Sequence, residues 1–164
     1  MIGLHNMVKR LLKRQRKENN MSVVHHHKTV TTVNCLVLTI SDTRTEATDK
    51  SGNLIVELLK EAGHKVIGKE IVKDEQVDIL KALKAGCANP DVDVIITSGG
   101  TGIAKRDVTI ETVQSILDKE ITGFGELFRM LSYLEDIGSA AMMSRAIAGI
   151  SDRTAIFATP GSSG

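Results

Sequence analysis

The chain has 164 residues, a formal net charge of +1, 25% charged and 41% hydrophobic residues, the balance of a single folded domain burying about 68 to 70 per cent of its unfolded surface. No apolar run approaches the roughly 20 residues of a membrane-spanning helix and no charged start leads into an apolar signal core, so no membrane partner is expected and the cytoplasm is the default location. Aromatic residues are only 2% and Trp is absent, which leaves few stacking platforms for single-stranded nucleic acid.

Residues 1–28 differ from everything after them. Lys9, Arg10, Lys13, Arg14, Arg16 and Lys17 face a single acid, Glu18, and the segment ends in His25, His26 and His27. Such an extension reads as solvated and disordered, with contact to nucleic acid or a membrane surface as the sharper alternative. Set aside, it leaves residues 29–164 as the folded domain, mildly acidic and an unlikely binder of nucleic acid.

Residues 33–40, nearly continuously apolar and β-branched, predict a central strand of a parallel sheet covered on both faces. A polar loop from Ser41 to Asp49 follows, then Lys50, Ser51 and Gly52, after which Leu54, Ile55, Leu58, Leu59 and Ala62 mark a helix closed by Gly63. A loop crowded with hydroxyls and carboxylates at the carboxyl end of a central strand is where ligands bind in open α/β sheets. Helix capping is the plainer role for Asp49. Residues 64–72 predict a second strand, and Asp74 a cap for a helix with Val77, Leu80, Leu83 and Cys87 on one stripe. Cys35 and Cys87 read as small reduced core residues.

Val92, Val94, Ile95 and Ile96 predict a third, buried strand that stops at Ser98, Gly99, Gly100, Thr101 and Gly102. Three glycines among hydroxyls free the backbone to aim successive N–H groups at one spot, a cradle for an anion. The segment lacks the Gly and Ser or Thr that a Walker A loop needs at Ala104 and Arg106, and Lys105 stands where a dinucleotide fingerprint has its third glycine. A helix begins behind the loop, its apolar residues at Ile110, Val113, Ile116 and Leu117, and its first amides also favour negative charge. Asp107 has two readings, a helix cap or a carboxylate that holds a metal ion or orients a reacting group.

Phe124, Leu127, Phe128, Leu131 and Leu134 predict one side of a further helix, flanked by Glu126 and Arg129, while residues 139–150 read as a short helix ended by Gly149. Residues 154–159 form a last strand that runs into Pro160, Gly161, Ser162, Ser163 and Gly164. No helix follows, and a truncation at this end is expected. Strand and helix alternation with right-handed crossovers predicts a three-layer α/β/α sandwich around a mostly parallel sheet.

Four segments, residues 49–52 (DKSG), 98–107 (SGGTG with KRD), 123–129 (GFGELFR) and 159–164 (TPGSSG), occur in an order and spacing that resembles the molybdopterin-binding family of molybdenum cofactor biosynthesis. That family includes the molybdopterin adenylyltransferases and the G domain of gephyrin. Residues 39–45 (TISDTRT) and 132–149 extend the likeness toward its bacterial protein B branch. The resemblance implies a molybdopterin-binding fold, a homo-oligomer that is commonly a trimer, and transfer of AMP from ATP to molybdopterin with Mg2+. By the same resemblance Asp49 and Asp107 would be the catalytic, metal-organising carboxylates, and the loop Ser98, Gly99, Gly100, Thr101, Gly102 would hold an anionic part of pterin or nucleotide. Ser41, Ser51, Gly52 and Glu126, the motif acid beside the pocket, would also bind substrate, and Pro160, Gly161, Ser162 and Ser163 would form a pterin-side loop. A non-catalytic pterin-binding or carrier protein of the same pathway is the alternative.

Overall fold

The computed structural model describes residues 32–161; the basic extension, Ser162 and Ser163 lie outside the described residues. Six strands form one mixed sheet: β1 (Asn34–Ile40), β2 (Lys65–Val72), β3 (Val94–Ser98), β4 (Lys119–Glu120), β5 (Ile147–Ser151) and β6 (Thr154–Thr159). Their order is β2-β1-β3-β6-β5-β4. The first three neighbour pairs in that order are parallel, and β5 runs antiparallel to both β6 and β4. Among the described residues four helices, α1 (Lys50–Glu61), α2 (Gln76–Ala88), α3 (Thr109–Gln114) and α4 (Phe124–Glu135), and a 3₁₀ turn (Gly138–Met143) connect them.

Alternation along β1 explains the layers. Leu36, Leu38 and Ile40 join Ile79 and Leu83 of α2 and Val113 of α3 in the core on one face. The opposite side of the strand carries Thr39, which bonds to Asp49 at the start of α1. On β6, Ile156 and Ala158 belong to the α2 and α3 side, while Phe157 meets Phe124 of α4, ring centroids 5.6 Å apart. Helices therefore cover both faces of a sheet whose central strands are buried, the expected sandwich.

Several local expectations are corrected. Residues 147–151 form strand β5 and only Gly138–Met143 is helical, as a 3₁₀ turn. On α2 the buried residues are Ile79, Leu83 and Gly86, while Val77 is exposed; burial of Gly86 lets the helix approach Ile95 closely. Asp74 is not a cap, because α2 starts after Glu75 with no side-chain cap. The apolar side of α4 is largely uncovered: Leu127, Met130, Tyr133 and Leu134 are exposed.

Because β2, β1, β3 and β6 are parallel, their carboxyl ends share one edge of the sheet. The chain turns to opposite sides of β1 for β2 and β3, and the crevice beside such a reversal is where open α/β sheets take ligands.

Candidate active site

At that edge lies an open hollow of about 620 Å³. Ser41, Thr43 and Arg44 line it from the loop after β1, Ser98, Gly99, Gly100, Thr101 and Gly102 from the loop after β3, and Pro160 and Gly161 from the chain after β6. Ser51 and Asp107 reach it as well, and Ile40, Ile137, Ala140 and Met143 give it an apolar side. Glycine-hinged turns separated by as many as 60 residues are thus brought together by parallel pairing alone.

The loop after β3 is shaped for donation. Gly99 and Gly100 have φ of +112° and +61°, and a Cβ on Gly100 would stand 2.3 Å from Thr109 Oγ1 and 2.7 Å from Asp74 Oδ1; only glycine fits both the conformation and the space. Gly99 donates to the Thr159 carbonyl at 3.1 Å, tying the loop to β6. The amides of Gly100, Thr101, Gly102 and Ile103 donate to no acceptor among the described residues. Successive free amides, those of Gly100, Thr101 and Gly102 on residues lining the hollow and that of Ile103 next to them, are the pattern from which nests for anions are made. The helix behind contributes less than expected: α3 has six residues and its Thr109 amide bonds to the Gly100 carbonyl at 3.0 Å.

Asp107 has no helix-capping bond; its Oδ2 accepts from the Ala104 amide at 2.9 Å, folding the loop back on itself. This leaves Oδ1 without a protein donor among the described residues. Asp49 sits differently. Its carboxylate is 0% exposed: Oδ1 accepts from the Gly52 amide at 2.9 Å, and Oδ2 from the Thr39 hydroxyl at 2.9 Å and Lys69 Nζ at 3.1 Å. Burial pushes its carboxyl up, but these donors outweigh burial and hold it below the usual carboxylate range. Asp49 is a helix cap and a buried ion-pair partner, and the geometry presents none of its oxygens to the hollow. Gly52 packs beneath it, and Glu126 lies on the exposed first turn of α4 paired with Arg129 at 3.4 Å; neither lines the hollow.

Two residues of this region are given no site role by the sequence reading, which takes Asp74 only as a helix cap and does not single out Arg145. Asp74 follows β2 at the same edge, its side chain 11% exposed, with Oδ1 buried and without a hydrogen-bond partner. Arg106 bonds to Asp42 and lies 4.0 Å from Asp74 Oδ2, while the Asp74 amide donates to Asp42 Oδ1 at 3.1 Å. Burial pushes the Asp74 carboxyl up; Arg106 opposes this, and Asp107, Asp42 and Glu75 add to it. Its signal in the sequence was its place just past a strand end. The second is Arg145, a lone charge in the stretch MMSRAIAG, which holds the back of the glycine loop.

Among the described residues no group of three or more His, Cys, Asp or Glu could enclose a metal ion. A pair of carboxylates suits Mg2+, which keeps waters and binds through one or two carboxylates together with substrate phosphates. Asp107 lines the hollow with a free oxygen and fits that requirement. Asp74 does not line the hollow, but its unbonded Oδ1 is buried behind Gly100 and would be the second carboxylate oxygen, whereas the oxygens of Asp49 are all engaged.

A mostly parallel α/β sheet with a glycine loop of unengaged amides beside a hollow at its carboxyl edge is the arrangement in which open α/β proteins take small anionic ligands. The family model described as "Probable molybdopterin binding domain" matches residues 36–164. The chain belongs to this molybdopterin-binding family. It is similar to molybdenum cofactor biosynthesis protein B of Bacillus cereus, with 64% identity over 145 residues, 88% of this chain and 86% of that protein. Among solved structures, a molybdenum cofactor biosynthesis protein B superposes with a TM-score of 0.77 at 66% identity, covering 80% of this chain and 81% of that one. The tungsten cofactor synthesizing protein MoaB from Pyrococcus furiosus superposes with a TM-score of 0.70 at 40% identity, covering 80% and 83%.

Proposed function

We propose that the chain acts in molybdenum cofactor biosynthesis, binding molybdopterin in the hollow and transferring AMP to it from ATP. The observation that carries this reading is the run of unengaged amides from Gly100 to Ile103 beside the free oxygen of Asp107. Transfer would form a bond from a phosphate oxygen of the pterin to the α-phosphorus of ATP and break the bond from that phosphorus to the pyrophosphate. Charge builds on phosphate oxygens as this happens, and fixed backbone donors stabilise it without reorganising. The glycine loop would hold one phosphate group. The apolar side formed by Ile40, Ile137, Ala140 and Met143 suits the flat pterin ring. Asp107 and Asp74 would hold Mg2+, which when bound offsets negative charge on the phosphates. Asp49 would act indirectly, fixing the start of α1 and with it Ser51 at the hollow's edge.

The exposed apolar side of α4 supports a homo-oligomer. Leu127, Met130, Tyr133 and Leu134, with Met142, make a patch of the kind that marks association. Copies of the chain are the proposed occupants, in the trimer the resemblance implies.

The deciding experiment incubates the protein with molybdopterin, ATP and Mg2+ and follows adenylylated pterin and pyrophosphate. Product in stoichiometric or greater amount supports transfer. Calorimetry that finds pterin binding but no ATP binding with Mg2+ present would replace it with the carrier reading.

A further inference from the structure

Arg145 stands behind the glycine loop, between the 3₁₀ turn and β5. Its Nε donates to the carbonyl oxygens of Thr101 at 3.1 Å and Gly102 at 2.9 Å. One terminal nitrogen donates to the Asp107 carbonyl at 3.0 Å, and the guanidinium also pairs with the Glu111 carboxylate. Thr101, Gly102 and Asp107 line the hollow, whereas Arg145 does not.

A trans peptide unit is planar, its C=O and N–H pointing to opposite sides. Holding the Thr101 oxygen from behind therefore turns the Gly102 amide forward, and holding the Gly102 oxygen does the same for the Ile103 amide. These are two of the amides that have no acceptor among the described residues. The contact to the Asp107 carbonyl fixes the far end of the same loop, where the carboxylate sits. The Glu111 partner offsets the guanidinium charge, so the contribution of Arg145 lies in orientation more than in long-range attraction.

We infer that Arg145 is a positioning residue for the anion site: a guanidinium brace that fixes three loop carbonyls so that the amides on the other side converge on one phosphate. The inference rests on the phosphate-cradle reading above and adds to it the element that sets the cradle's geometry. A lysine keeps the charge but lacks the planar fork, so charge and geometry separate in one substitution.

The test uses the full chain, with inorganic pyrophosphate and Mg-ATP as probes, and follows the amide resonances of Gly102 and Ile103 by NMR alongside calorimetric affinity. In the unsubstituted protein both amides shift on titration. In R145K the shifts are lost and affinity falls about 10- to 100-fold, the scale of a small misplacement of binding groups. Guanidinium ion at millimolar concentration restores binding in R145A, which a general loss of stability would not allow. E111Q, which loosens the brace while leaving its carbonyl contacts available, gives a smaller loss and serves if the Arg145 variants fold poorly. R145K or E111Q binding both probes as tightly as the parent protein, with unchanged amide shifts, overturns the inference and leaves the cradle standing. Gly102 and Ile103 amides that ignore both probes in the unsubstituted protein overturn the cradle itself and the inference with it.

Discussion

Lys69 Nζ lies 3.1 Å from Asp49 Oδ2, pairing the outer strand β2 with the first turn of α1 around a carboxylate that has no solvent exposure. Lys69 has other partners, Glu46 at 3.0 Å and Asn53 at 2.7 Å, whereas among the described residues Asp49 pairs with no cation but Lys69. Removing the lysine should therefore cost more than removing the acid: about 3 kcal/mol for K69M, which leaves a buried charge unpaired, against about 1 kcal/mol for the lost cap in D49A. Urea denaturation at neutral pH measures both, and equal costs would contradict the asymmetry. Because the folded Asp49 carboxyl is held low, its stabilisation is present above the ordinary carboxylate value of about 3.9 and is lost as pH falls through the lower folded value. D49N should flatten the acid limb of the stability curve there.

Asp107 supplies a charge and an acceptor in separate ways. D107N keeps a carbonyl oxygen for the Ala104 amide and loses the charge, so pterin affinity should stay within a few-fold while AMP transfer falls about 100-fold or more. Separate measurement of pterin binding and pyrophosphate release checks this. Normal turnover in D107N would remove Asp107 from the proposed chemistry.

Asp74 offers a test of the opposite sign for stability. An acid whose folded carboxyl is raised destabilises the fold once ionised: its cost is absent below the ordinary carboxylate value and develops as pH rises toward the folded one. D74N should therefore stabilise the protein near neutral pH, by up to about 1 kcal/mol, while reducing Mg2+-dependent transfer, the exchange expected where a site is held at a cost in stability. Thermal unfolding and turnover at matched pH decide it. A variant that loses stability would show that the Asp74 carboxylate supports the fold instead.

The exposed apolar side of α4 predicts assembly. L134E, at a position 67% exposed, should shift the protein toward smaller species in sedimentation velocity with little change in secondary structure by circular dichroism. A parent protein that sediments as a monomer would remove this role for α4.

Much of the sheet was legible because burial on both faces leaves strands such as β1, β3 and β6 as short unbroken apolar runs between turn residues. The glycine loop was legible as a turn, its positive φ angles following directly from what glycine permits. Strand β5 was hidden because residues 147–151, IAGIS, carry a glycine and no alternation, and its pairing with β6 and β4 comes from distant partners. The stripe on α2 was misplaced because apolar residues occur on more than one side of it, and burial selected the side where Gly86 permits close contact. Asp49 and Asp74 exchanged apparent roles: each stands before a helix, and only the fold reveals that Lys69 and Thr39 face the first, while an unbonded oxygen beside the glycine loop belongs to the second.

The hydrogen bond from the Gly99 amide to the Thr159 carbonyl has a consequence for assembly in time. The strand bearing Thr159 is the last among the described residues, and β3 receives it as a parallel neighbour across some 60 intervening positions. Non-local parallel pairing of this kind is slow to form. The proposed phosphate cradle is therefore finished only when β6 docks, so a nascent chain would present the glycine loop with one wall missing, and competence to bind would arise as a late step of folding.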